Sequence, residues 1–117
     1  MSNRSDLDGS LVNTSSYETL SNTALLGLKA SGAMMRTWGD AYGYYLVASG
    51  QAEVMIDPIC SPWDLAPMPV IIEEAGGIFT DMKGNSELDF RAPPDSIDGV
   101  ATNGLIHEQL LDALGDQ

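Results

Sequence analysis

Basic residues are scarce in this chain. Five Lys and Arg stand against 17 Asp and Glu among 117 residues, a formal net charge of −12. Nucleic-acid binding draws on Lys and Arg contacts to phosphates, so this balance argues against that class of partner. It argues equally against attraction to an anionic membrane surface. Cysteine is nearly absent as well. Cys60 is single, which rules out an internal disulfide and any metal site built on several thiolates. No apolar run approaches the ~18 residues of a membrane span. The segment Met1 to Asp8 has no apolar stretch of the kind a signal peptide needs. The expectation is a cytoplasmic, acidic chain that meets neither nucleic acid nor membrane.

What is present is enough apolar side chain, 44%, for one buried core. The charges are unevenly placed. Between Arg36 and Lys83 there is no Lys or Arg, yet the stretch holds Asp40, Glu53, Asp57, Asp64, Glu73, Glu74 and Asp81. Such carboxylates either point to solvent on different faces or converge on a cation. Hard oxygen donors without thiolates suit Mg²⁺.

Residues 1–9 are polar and read as a frayed or loop-like segment, with the domain expected over 10–117. Leu11 to Ser16 reads as a short strand, and 17–31 as an amphipathic helix with Leu20, Ala24, Leu25 and Leu28 inward. Met34 to Thr37 is a further strand. Gly39 opens a helix with Tyr42, Tyr45 and Leu46 on one side, ended by Gly50. Ala52, Val54 and Ile56 alternate with polar neighbours as a strand does, and Pro58 is expected to close it. Residues 61–75 read as one helix, deeply buried through Val70-Ile71-Ile72, with Pro67 and Pro69 as sources of a kink. Ile78 to Asp81 and Gly99 to Thr102 complete the strands around a loop-like 85–98. Asn103 is placed to cap a last helix carrying Leu105, Ile106, Leu110, Leu111 and Leu114. Alternating strands and helices predict an α/β fold of the layered α+β type, a mixed sheet flanked by helices.

The densest chemical signal is Ser61-Pro62-Trp63-Asp64-Leu65-Ala66 followed by Glu73-Glu74-Ala75-Gly76-Gly77. Ser61 fits an N-cap, Pro62 the first helical position and Asp64 the third. A carboxylate at that third position can close a capping box, or it can point into a cleft and hold a metal ion. Local spacing leaves both readings open.

The same residues resemble the second signature of the inositol monophosphatase family: Trp-Asp, an apolar helix, then Glu-Ala-Gly-Gly. Gly39-Asp40-Ala41 with Leu46-Val47-Ala48-Ser49-Gly50 resembles the family's Gly-x-Ala and Val-Ala-x-Gly segment. Ala101-Thr102-Asn103-Gly104 and Ile106-His107 extend the likeness, which covers about residues 10–115. The resemblance implies the C-terminal half of the family's fold and Mg²⁺-dependent hydrolysis of a small phosphate monoester. It implies Asp64 as a metal ligand and Asp57 as an acidic substrate contact. Asp40 is implied to face the alcohol or amine part of the substrate, with Gly39 and Ala41 offering backbone contacts and Arg36 orienting Asp57. The Asp at position 40 is most similar to the histidinol-phosphatase branch, where a carboxylate suits an ammonium group. Inositol 1-phosphate or a related sugar phosphate is the alternative substrate. A dimer is implied for the full-length enzyme.

Family members also carry a Glu and an Asp-Pro-Ile-Asp-Gly-Thr signature in a preceding half. Asp95-Ser96-Ile97-Asp98-Gly99 resembles that signature only superficially and is read as coincidence. The expectation is therefore a half-domain lacking most metal ligands and inactive alone. A non-catalytic binding or assembly module is the competing reading. His107 and Cys60 are expected to be structural.

Overall fold

The computed structural model describes residues 1–115, with Asp40 described by its backbone alone. The strands are β1 (Leu11–Thr14), β2 (Met34–Arg36), β3 (Val54–Cys60), β4 (Ile78–Thr80) and β5 (Ile97–Thr102). The helices are α1 (Asn22–Ala30), α2 (Asp40–Ala48), α3 (Pro62–Leu65), α4 (Met68–Glu74) and α5 (His107–Leu114). The strands form one mixed sheet in the order β2-β1-β3-β5-β4. β1 runs parallel to β2 and to β3, and β5 runs antiparallel to β3 and to β4.

Alternation along the central strands divides the core between two faces. Val54 and Ile56 of β3, with Val12 and Val100, meet Ala24 and Leu28 of α1 and Leu110 and Leu114 of α5. Met55 and Ala101 point the other way, to Tyr44 and Val47 of α2 and Ile72 of α4. The result is a sheet between two helical layers, the layered α/β architecture expected. Glycine sets one of the approaches: a Cβ at Gly27 of α1 would run into the backbone carbonyl of Ala113 in α5.

Several elements depart from the sequence reading. α1 begins at Asn22 instead of 17, because Ser21 accepts a hydrogen bond from the Ala24 amide at 3.1 Å and fixes the helix start. α2 turns Tyr44, Leu46 and Val47 inward and leaves Tyr42 and Tyr45 exposed and stacked on each other. The cause is Gly43, where a side chain would collide with Met55; the smallest residue faces the sheet and lets the helix approach it. β3 does not stop at Pro58. Asp57 pairs with Gly99 and Cys60 with Ile97, so β3 advances one residue more than its partner between these pairs. Proline has no amide to donate and sits where the ladder skips a residue.

The expected helix 61–75 is two helices, broken at Pro67 where no amide is available for the turn before it. α4 is not deeply buried. Ile72 enters the core, whereas Val70 and Ile71 are exposed. Residues 1–9 are polar but not frayed: Leu7 is fully buried, and Asn103 donates to the carbonyls of Ser2 and Arg4 at 3.2 and 2.8 Å. Asn103 is thus a tie between the ends of the chain and accepts from Leu105, while Ile106 stands at the cap position of α5.

His107 is buried at the start of α5 and joins two strands. Thr80 Oγ1 donates to the Asp81 carbonyl, so it receives the proton of His107 Nε2 at 2.8 Å. Nδ1 is then the acceptor for Thr102 Oγ1 at 2.9 Å. That pattern suits the neutral ring, which burial favours by pushing its pKa below the usual histidine value. The unfolded chain therefore takes up a proton near the usual value, before the folded chain does. Stability contributed here is complete above that pH and declines as the pH falls through it. We expect the thermal midpoint of the native chain, relative to His107→Gln, to lose ground between about pH 8 and about pH 5. Parallel pH curves for the two proteins would contradict this assignment.

Candidate functional site

Chain reversal in the sheet defines where a ligand can enter. From β1 the chain passes through α1 to β2 on one side, then through α2 to β3 on the other. Parallel strands that diverge in this way leave a crevice beyond their carboxyl ends. Ser15, one residue past β1, and Asp57 to Cys60 at the end of β3 mark that place. A cavity of about 470 Å³ opens there, lined also by Ala41, Tyr44, Ser61, Asp64 and Asp95.

The structure brings together three of the residues singled out from the sequence, Ala41, Asp57 and Asp64. Gly39 stands just behind them. A Cβ on it would lie 3.0 Å from the Ser15 Cα, so glycine allows the start of α2 to close against the end of β1. Asp40 opens α2, and its side chain lies outside the described residues. Arg36 is not among the lining residues. It is exposed, donates to the Met35 carbonyl at 2.8 Å and stands over the Trp38 ring at 5.9 Å.

The carboxylates of the cavity differ in environment. Asp57 is buried and accepts a hydrogen bond from the Tyr44 hydroxyl at 3.0 Å. Burial, then the Asp57 charge, holds the Tyr44 pKa well above the usual tyrosine value, so the phenol stays a donor. Asp64 is exposed, and among the described residues its carboxylate has no hydrogen-bond partner. The capping box is not formed: Ser61 makes no side-chain cap bond, and its hydroxyl is engaged elsewhere. That hydroxyl donates to Asp95 Oδ1 at 3.2 Å and accepts from the Asp95 amide at 3.1 Å. Sequence reasoning missed Tyr44, Ser15 and Asp95. The Pro93-Pro94 turn was the one local sign that the chain bends back at Asp95, and nothing in the spacing linked it to Ser61.

No three His, Cys, Asp or Glu side chains among the described residues converge as a cation would require. Magnesium seeks near-octahedral oxygen coordination. The described residues therefore do not fit a complete Mg²⁺ site, although Asp64 is free to serve as one ligand. Without a cation the cavity is an acidic pocket with no Lys or Arg in its lining. It can accept hydrogen bonds from donors and balance a positively charged group.

A layered α/β domain with an acidic crevice at its strand reversal is the class of protein defined here. The chain belongs to the inositol monophosphatase family, whose model matches residues 4–117. It is 40% identical over 99 residues to the histidinol-phosphatase of Chlorobaculum parvum, covering 82% of this chain and 35% of that protein. It is 37% identical over 89 residues to the histidinol-phosphatase of Mycobacterium tuberculosis, covering 76% and 32%. Among solved structures, the inositol monophosphatase from Anabaena superposes with a TM-score of 0.77 at 30% identity, covering 97% of this chain and 48% of that one. The Thermotoga maritima IMPase gives 0.82 at 25% identity, covering 97% and 43%. The chain thus spans about a third of the curated relatives and under half of the solved ones.

Cys60 reports on the pocket. Burial pushes its thiol up to about 12, helped by the charge of Asp57 and a hydrogen bond to it. The thiolate is the reactive form, so the folded thiol is nearly inert. We expect iodoacetamide at about pH 8 to modify the native chain at least ~100-fold more slowly than the urea-unfolded chain. Asp57→Asn should quicken the native reaction by removing the nearby charge. Equal rates in native and unfolded protein would show that Cys60 is not in this environment.

Proposed function

We propose that this chain forms the C-terminal, substrate-side part of a Mg²⁺-dependent phosphatase that hydrolyses a small phosphate monoester, with histidinol phosphate preferred. The observation that carries the reading is Asp64: a carboxylate freed from helix capping, at the rim of a cavity shared with Asp57 and Ala41. Asp64 supplies one metal ligand. Asp57, fixed by Tyr44, and Asp40, by its place at the start of α2, receive the amine or alcohol part of the substrate. Gly39 and Ala41 offer backbone contacts. Arg36 would help orient Asp57. Histidinol phosphate carries an ammonium group, and a pocket lined by acids without a basic residue favours it over a neutral polyol. The histidinol-phosphatase names of the more similar relatives support the same preference. An inositol or related sugar phosphate is the alternative, and a relative described as fructose-1,6-bisphosphatase/inositol-1-monophosphatase at 30% identity favours it.

One ligand does not hold a hydrated, rigidly octahedral cation, so the remaining ligands belong to a part of the enzyme outside these residues. The 117-residue chain with Mg²⁺ and histidinol phosphate is expected to release phosphate no faster than a buffer control. Robust turnover would contradict that division of labour.

Activity is testable in a chimera in which this chain replaces the matching segment of the Chlorobaculum parvum enzyme. The expected result is a higher kcat/KM for histidinol phosphate than for inositol 1-phosphate. Asp64→Asn in the chimera should lower kcat by orders of magnitude while moving metal-free stability by at most about 1 kcal/mol. A folded chimera that prefers inositol 1-phosphate would replace the substrate assignment. Unchanged turnover of Asp64→Asn at limiting Mg²⁺ would remove Asp64 from the metal.

Exposed Tyr42, Tyr45, Val70 and Ile71 extend the proposal to assembly, as a dimer in the full-length enzyme. Sedimentation of the isolated chain should show concentration-dependent association. A monomer at every concentration would count against it.

A further inference from the structure

We infer that Asp95 is a positioning residue, which sets the direction of Asp64 by locking Ser61. This rests on the proposed role of Asp64 in metal binding. Three observations meet at Ser61. Its buried hydroxyl is engaged twice by Asp95, donating to Oδ1 and accepting from the backbone amide. Its carbonyl accepts the amide of Asp64 at 3.0 Å and that of Leu65 at 3.4 Å. Asp95 itself has φ +56°, the one residue besides glycine in the left-handed region among those described.

The Asp64 carboxylate has no partner among the described residues, so its aim is set by its backbone. That backbone belongs to a four-residue helix that ends ahead of Pro67. A helix this short has little cooperativity of its own and depends on what holds its first turn. The turn hangs from the Ser61 carbonyl, and the Ser61 side chain is held by Asp95. The same pair ties down the long connection between β4 and β5, which brings Asp95 into the lining of the cavity that Asp64 also lines. A left-handed backbone at a residue other than glycine persists where its surroundings compensate it. Aspartate tolerates that conformation better than most residues do.

The geometry separates two roles for Asp95. Positioning needs an acceptor at Oδ1 and a backbone that accepts φ +56°, and asparagine supplies both. A role as a charged ligand needs the negative charge, which asparagine lacks. Asp95→Ala removes the acceptor and leaves a buried hydroxyl with one bond fewer.

Hydrogen exchange at the Asp64 and Leu65 amides of the 117-residue chain, read by NMR, tests the inference without activity. Loss of the bond in Asp95→Ala should speed exchange at both amides by about 5- to 10-fold. Asp95→Asn should leave them near the native rate. In the chimera, Asp95→Ala should lower kcat and weaken the response to Mg²⁺, and Asp95→Asn should restore both. If Asp95→Ala does not fold, Ser61→Ala breaks the same pair from its other end and should give the same exchange result at Asp64. Unmoved exchange in a folded Asp95→Ala or Ser61→Ala chain would overturn the inference. So would an Asp95→Asn chimera as impaired as Asp95→Ala, since charge would then be what matters. If the amides respond as expected but the native chimera is inactive, the function proposed above fails while the link from Asp95 to Asp64 stands.

Discussion

From Val54 to Ile56 the strand β3 is bonded to a parallel neighbour on one side and an antiparallel one on the other. Both helical layers pack against it, through Val54 and Ile56 on one face and Met55 on the other. Its last residues then leave the regular ladder at Pro58 and form one wall of the cavity. From Val54 to Asp57 each side chain of β3 therefore faces a core or the pocket, with no surface position between Ala52 and Asp57. Burying apolar side chains on both faces of one strand is the main source of cohesion available to so small a sheet. The same cohesion holds Asp57 inside, where a carboxylate would otherwise escape to water.

An acid in that position needs compensation, and the neighbourhood supplies it through donors. Tyr44 donates its hydroxyl to Asp57 at 3.0 Å, and the Cys60 thiol nearby donates to the Ser61 carbonyl at 3.6 Å. Burial, then the charge of Asp57, keeps both groups protonated. Asp64 stands in contrast at the rim, exposed, and its carboxylate has no hydrogen-bond partner among the described residues. Two carboxylates of one cavity are thus prepared differently: one is fixed and screened, the other is exposed and free to take an external partner. The arrangement is coherent with a substrate contact and a metal ligand, respectively.

Much of the fold was legible in the sequence. The period-two stretch around Val54 to Ile56, the apolar spacing of Leu110 and Leu114, and the glycines after helices located most elements within a few residues. Three kinds of information were not local. Gly43 decides which face of α2 is buried through a contact with Met55, and aromatic spacing pointed to the wrong face. Pro58 looks like a terminator until its strand partner shows that it lies at a skipped pairing. Leu7 looks like part of a polar tail, but the space it fills is made by α1 and α5. The site divides in the same way. The family resemblance singles out Asp57 and Asp64, and the structure puts both on one cavity. Ser61 reads in sequence as a cap for the helix that follows. Its actual partner, Asp95, lies 34 residues away, a separation no local pattern encodes.

The central claim is that Asp64 meets a metal ion in a cavity whose opposite side receives a cationic substrate. A crystal structure of the chimera with Mg²⁺, phosphate and histidinol tests it most directly. The account predicts an Asp64 oxygen directly on Mg²⁺ at about 2.1 Å, and the histidinol amine on the side of Asp57 and Asp40. Asp64 turned back onto the amides of its own helix, with the cation held entirely by other residues, would contradict it.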